Sequence, residues 1–187
     1  MKLHYKGRFD GREESLPHGE HKPNAVKFKE PETPEKLARL ASTIAIVLSV
    51  IALILLFVRG GLGAFRFQGC LLAVLVMYPH EFLHGICFKK DAYIYTNLKQ
   101  GMLFIVGPED MSKARFILMS LFPNLVFGFL PFIFFLICPE FRTMGTLGVM
   151  AIGMGAGDYL NVYNAITQMP KGARTYLYGF HSYWYVP

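Results

Sequence analysis

His80-Glu81-Phe82-Leu83-His84 is the stretch of this 187-residue chain whose residue types and spacing could do chemistry. On an α-helix the two histidines fall one turn apart, about 40° round the axis, so both imidazoles can reach one tetrahedral metal ion. Glu81 stands roughly 60° from His84, near enough to touch a water at that ion without binding the ion itself. Zinc brings the ionisation of such a water from near pH 16 to about 7, and a carboxylate can then take its proton. The pattern also arises by chance, so its surroundings matter. Here it lies in an apolar run. Insertion experiments put a central charge in such a run at a cost of about 2.5–3.5 kcal/mol, and an ionisable group kept there is a functional hypothesis by default.

A catalytic zinc site needs a third protein ligand and one open position. Outside the motif, Asp158 is the one acidic residue within an apolar run, at a depth comparable to His80 and His84. One aspartate would offset half the charge of the ion, which favours toleration in lipid. Two other uses stay open for Asp158: capping a broken helix, or pairing with Arg66. Asn161 and Asn164 follow on nearby faces, and Asn124 stands beside Pro123 in the preceding run. These asparagines could hold Asp158 or a substrate carbonyl, or do no more than hydrogen-bond between helices. His18 and His21 lack a third ligand in a fixed frame and read as solvated. Cys70, Cys87 and Cys138 have no zinc-ribbon spacing and read as small buried hydrophobes.

Four apolar runs must carry these groups. Ala41 to Val58 is uncharged over 18 residues, Phe67 to Phe88 holds the motif, Phe116 to Cys138 is uncharged over 23, and Thr143 to Met169 has Asp158 as its single charge. The first approaches, and the other three exceed, the roughly 20 residues that a helix needs to span a bilayer. Pro123 and Pro131 predict kinks in the third. Gly145, Gly148, Gly153, Gly155 and Gly157 precede Asp158 without dinucleotide-binding spacing. They predict close packing of this run on the second.

Charge sets the orientation. Residues 1–40 carry nine Lys or Arg, the 89–115 segment five and the C-terminal tail two, against Arg59, Arg66 and Arg142 on the alternate side. By the positive-inside rule both termini and the 89–115 segment are cytoplasmic. The net charge of +6 thus follows the loops rather than forming a basic patch, which argues against a nucleic-acid partner. Hydrophobic residues make up 53% of the chain and charged ones 17%, a departure from soluble composition that the apolar runs explain.

Residues 1–40 also hold seven Asp or Glu and four prolines, which predicts a flexible cytoplasmic tail and no signal peptide. Residues 41–170 are expected to form the transmembrane domain, in which the H-E-x-x-H spacing is the one that a zinc metallopeptidase would use. Residues 171–187 form an aromatic interfacial tail, since Tyr and Trp favour the headgroup level. Its His181 could alternatively roof the metal. Between the second and third runs, Tyr93-Ile-Tyr-Thr and Met102-Leu-Phe-Ile-Val flank Asn97-Leu-Lys-Gln-Gly101 in a hairpin-like pattern, and Gly107-Pro108-Glu109-Asp110 reads as a helix start. The fold class is an all-α polytopic membrane protein of about four transmembrane helices, with a small cytoplasmic β-hairpin between helices 2 and 3.

With these residues in view, the chain resembles the membrane-embedded zincins. These are the site-2-type intramembrane metalloproteases and, more closely, a small bacterial family described as zincin peptidases. The likeness rests on His80-Glu81-Phe82-Leu83-His84 in one span and Gly157-Asp158-Tyr159-Leu160-Asn161 in a later one, and covers roughly residues 60–170. Site-2-type enzymes surround their third ligand with Asn-x-x-Pro and Leu-Asp-Gly elements, of which this chain keeps only the Asp. The resemblance implies zinc held by His80, His84 and Asp158, Glu81 as base, and a bacterial cell membrane. It also implies a membrane-bound or membrane-associated peptide substrate, with the 93–107 hairpin as an edge for an extended substrate strand. A catalytically silent zinc-binding adaptor is the rival reading, although a purely structural site has no use for Glu81. A transporter would want an inverted repeat, which the four runs do not display.

Overall fold

The structure is a computed structural model that describes residues 2–97, 102–178 and 181–187. It is 57% helical and also contains two small sheets, so the all-α expectation is corrected. The chain divides into two compact units. One comprises Met1–Lys29, Glu81–Ser120 and Val162–Pro187, the other Glu30–His80 and Leu121–Asn161.

The second of these units opens on α1 (Pro34–Gly60). Thr33 caps it by accepting from the Lys36 N–H, and proline stands in its first turn, where its missing N–H costs no helical bond. Along α1, Ile46, Val47, Val50, Ile54 and Val58 are exposed. In water such an apolar face would be an aggregation liability. The chain continues through α2 (Phe67–Leu75) into α3 (Met77–Ile86), then through α4 (Lys113–Asn124), a π-helical stretch (Leu125–Phe129) and α5 (Leu130–Ile137). Last come α6 (Arg142–Met154) and α7 (Ala156–Gln168). Ala52, Leu56, Phe132, Phe135, Val149 and Ile152 share one core. Close approach in it depends on glycine. A Cβ at Gly148 would stand 2.5 Å from Phe132 Cβ, and one at Gly69 of α2 would stand 2.5 Å from Thr146 Cβ of α6.

Among the described residues, three helical stretches are long and apolar enough to cross a membrane: Glu35–Gly60, Phe67–Ile86 and Lys113–Ile137. The fourth apolar run is interrupted at Gly155 and forms two helices of 13 residues each, α6 and α7. At 1.5 Å per residue each is about 20 Å long, short of the roughly 30 Å hydrocarbon core.

The other unit holds the sheets. β1 (Leu3–Arg8) runs parallel to β3 (Ala92–Asn97), which pairs antiparallel with β4 (Met102–Val106). The expected β-run partners are therefore paired, but within a three-stranded sheet, and Leu98–Gly101 of the expected turn lie outside the described residues. β5 (Met111–Ser112), β6 (Arg174–Tyr178), β7 (His181–Tyr185) and β2 (Val26–Lys27) form the second sheet. Residues 1–40, read as a loose tail, thus supply β1, β2 and the start of α1. Their strands are ordered by partners far along the chain, and Phe28 joins a core with Ala165, Met169 and Ala173. The C-terminal aromatics form a strand pair in which Tyr176 and Tyr183 stack at 5.9 Å. Gly179 and Phe180 of that tail lie outside the described residues.

Glu109 and Asp110 do not open a helix, because α4 begins at Lys113. Glu109 is instead buried, accepts the N–H groups of Lys89 at 2.7 Å and Lys90 at 2.8 Å, and pairs with Arg115. Burial works against its charge, but these two N–H groups and the Arg115 guanidinium together hold its carboxyl below the ordinary range. Asp110 accepts from Arg174 Nε at 2.6 Å and from the Tyr185 hydroxyl at 2.5 Å. The acidic pair fastens the segment after α3 and the C-terminal hairpin to the start of α4.

Candidate metal centre

Pro79 shapes the approach to the motif. It has no N–H for the carbonyl of Leu75, four residues earlier, and α2 ends at Leu75. The helix resumes as α3, with the His80 N–H bonded to the Val76 carbonyl at 2.8 Å. On α3 both histidines are buried, His80 at 8% and His84 at 6% exposure, while Glu81 is half-buried. The donor atoms of His80, Glu81 and His84 all lie within 4.8 Å of one another. Nδ1 of His84 lies 2.9 Å from the Met119 carbonyl of α4.

Asp158 occupies the first turn of α7, where the helix dipole favours a negative charge. Its Oδ2 stands 3.4 Å from Nε2 of His80. Donors bound to one tetrahedral zinc at about 2.0–2.1 Å are separated by about 3.3–3.4 Å, so this spacing fits two ligands of a common ion. The donor set fits as well: two buried imidazoles and carboxylates, nitrogen and oxygen atoms that zinc accepts readily.

Asn124 is fully buried, and its Nδ2 donates to Asp158 Oδ2 at 2.8 Å. The Tyr159 hydroxyl donates to Asn124 Oδ1 at 3.4 Å. Of the three asparagines singled out from sequence, Asn124 is thus brought to Asp158. Asn164 is instead buried against Gln168, whose Nε2 donates to it at 3.0 Å. Gln168 also accepts the Lys29 N–H at 2.7 Å, so this pair secures the segment around Phe28. Asn161 is half-buried on α7.

Sequence reasoning missed Tyr159, the Met119 carbonyl and the use made of Gly155. A Cβ on Gly155 would sit 1.7 Å from Asn124 Oδ1, so the asparagine occupies the space that the missing side chain leaves. Gly157, two residues on, has nothing within 4 Å of its notional Cβ. We expect Gly155→Ala to displace Asn124 from Asp158 and to cost about 1–3 kcal/mol as overpacking. Gly157→Ala should be neutral or slightly stabilising, as alanine is in a helix. Apparent unfolding temperatures of the two variants in detergent test this, and equal losses would discard the clearance argument.

The family model described as "Putative zincin peptidase" matches residues 73–174, a little over half of the chain. That span includes His80, Glu81, His84, Asn124 and Asp158. No curated protein and no solved structure matches the chain.

Proposed function

The chain belongs to the putative zincin peptidase family, and from that membership we propose that it is a membrane-embedded zinc metallopeptidase that hydrolyses peptide bonds near the cytoplasmic face of the membrane. The observation that carries this reading is the buried His80–Glu81–His84 donor group on one helix. His80, His84 and Asp158 are the ligands, and Glu81 is the general base. A zinc ion held by these three supplies Lewis acidity to the attacking water and the peptide carbonyl. Glu81 takes a proton from the water as its oxygen bonds to the carbonyl carbon. It then hands that proton to the amine nitrogen as the C–N bond breaks, leaving an amine and a carboxylic acid, which loses the second water proton to solvent. Asn124 orients the Asp158 carboxylate through its 2.8 Å hydrogen bond.

Membrane placement follows from the exposed apolar face of α1 and the three helical stretches of spanning length. Sixteen basic residues assigned inside against three outside put both termini in the cytoplasm. An even number of crossings is then required, so α6 and α7 together make the fourth. Their break at Gly155 is tolerable at membrane depth because its backbone stays paired: the Gly155 N–H donates to the Ala151 carbonyl at 3.3 Å, and its carbonyl accepts from the Tyr159 N–H at 3.1 Å. The motif lies toward the end of Phe67–Ile86 that this orientation turns inward. The substrate is a membrane or membrane-associated protein or peptide.

The reading is tested with the purified full chain in vesicles and a set of fluorogenic peptides anchored in the same bilayer. Cleavage should stop on treatment with a zinc chelator and return when zinc is restored. Cleavage that survives complete removal of the metal would exclude a metallopeptidase.

A further inference from the structure

Pro123 lies inside α4, one residue before its end. A proline has no backbone N–H for the carbonyl four positions earlier, and here that carbonyl belongs to Met119. The same carbonyl stands 2.9 Å from Nδ1 of His84. A carbonyl oxygen can only accept, so the hydrogen between them belongs to Nδ1. A neutral imidazole carries one ring hydrogen, and with that hydrogen on Nδ1 the lone pair resides on Nε2. Both members are shielded from water, His84 at 6% exposure and Pro123 fully buried.

We propose that Pro123 and the Met119 carbonyl are a positioning pair that sets the tautomer of His84. By withholding an N–H from the helical ladder, Pro123 leaves the Met119 oxygen to the imidazole. The imidazole is thereby held with Nε2 as the donor atom for a divalent cation. An N–H at position 123 would compete for that oxygen, and His84 would then lose both its fixed orientation and its single tautomer. This assignment rests on the reading of His84 as a metal ligand only for its consequence, the affinity for zinc. The tautomer itself is a property of the zinc-free protein.

The test uses the full chain in detergent, stripped of metal, with histidine nitrogen NMR at about pH 8, where imidazole is neutral. Wild-type His84 should show the hydrogen on Nδ1 alone. P123A, which restores the N–H, should show a mixture of tautomers and bind zinc about 10–100-fold more weakly, the range seen when partners of metal-binding histidines are removed. P131A, at the proline of the first turn of α5, should match wild type in both readouts. A wild-type His84 with its hydrogen on Nε2 overturns the proposal, as does a P123A spectrum identical to wild type. Should P123A not fold, P123G restores the same N–H and is read in the same way. Wild-type protein that binds no zinc would refute the metallopeptidase reading, while the tautomer spectra would still decide this one.

Discussion

Glu81→Gln should keep its zinc and lose cleavage of any identified substrate by at least about 100-fold, within the 10²–10⁴ range typical of a positioned acid–base group. The amide is nearly the same size as the carboxylate, and both imidazoles and Asp158 remain to hold the ion. What disappears is a group able to take a proton from water and return it to the leaving nitrogen. The substitution also removes a half-buried charge from an apolar helix. Stability should therefore be at least that of wild type, since a charge at such a position costs about 2.5–3.5 kcal/mol on insertion scales. Zinc content by elemental analysis, apparent melting temperature and cleavage rate are measured on one preparation. A silent adaptor would be indifferent to this change in every assay. Loss of zinc would instead make Glu81 a ligand, and the division of roles along the motif would have to be redrawn.

The motif was legible in the sequence because its geometry is local. Five consecutive residues on one helix need no tertiary structure to bring them together, and the donors of His80, Glu81 and His84 are within 4.8 Å of one another. Asp158 was legible for a different reason: a carboxylate in an apolar run stands out against its neighbours, and its Oδ2 lies 3.4 Å from His80. The sheets were not legible. β1 pairs with residues nearly ninety positions later, at Leu3 with Ala92, and no local composition signals that partner. In the charged first forty residues the telling features were two apolar side chains, Leu16 and Phe28, both buried. The break in the fourth run was not legible because hydropathy ignores backbone geometry: the run carries Asp158 as its single charge, yet it divides into α6 and α7 at Gly155.

Prolines carried more information than their reading as kinks extracted. A proline inside a helix releases a carbonyl four residues upstream, and counting back along the chain is enough to name that carbonyl. For Pro79 it is Leu75, where α2 stops. For Pro123 it is Met119, whose oxygen meets His84. What takes up a released carbonyl depends on packing, which local sequence does not encode.

Among the proposed ligands, His80→Ala and His84→Ala should abolish stoichiometric zinc binding and cleavage together, whereas Asp158→Asn should weaken zinc binding more mildly. Each alanine deletes a neutral nitrogen donor from a site with few to spare, and nothing of similar size replaces it. Two remaining ligands leave the ion exposed to competition from water and from any chelator. The change at Asp158 is subtler. An amide keeps an oxygen in place and can still accept from Asn124, whose hydrogen bond to this side chain is 2.8 Å. It gives up the negative charge that offsets half the charge of the ion. It also gives up a favourable contact with the N-terminus of α7, worth about 0.3–1 kcal/mol at such a position. The expected order of zinc affinity is therefore wild type, then Asp158→Asn, then either histidine variant, read by competition with a chelator of graded strength. If Asp158→Asn held zinc as tightly as wild type, Asp158 would be a helix-terminal charge and not a ligand. The third ligand would then have to be sought elsewhere around His80 and His84.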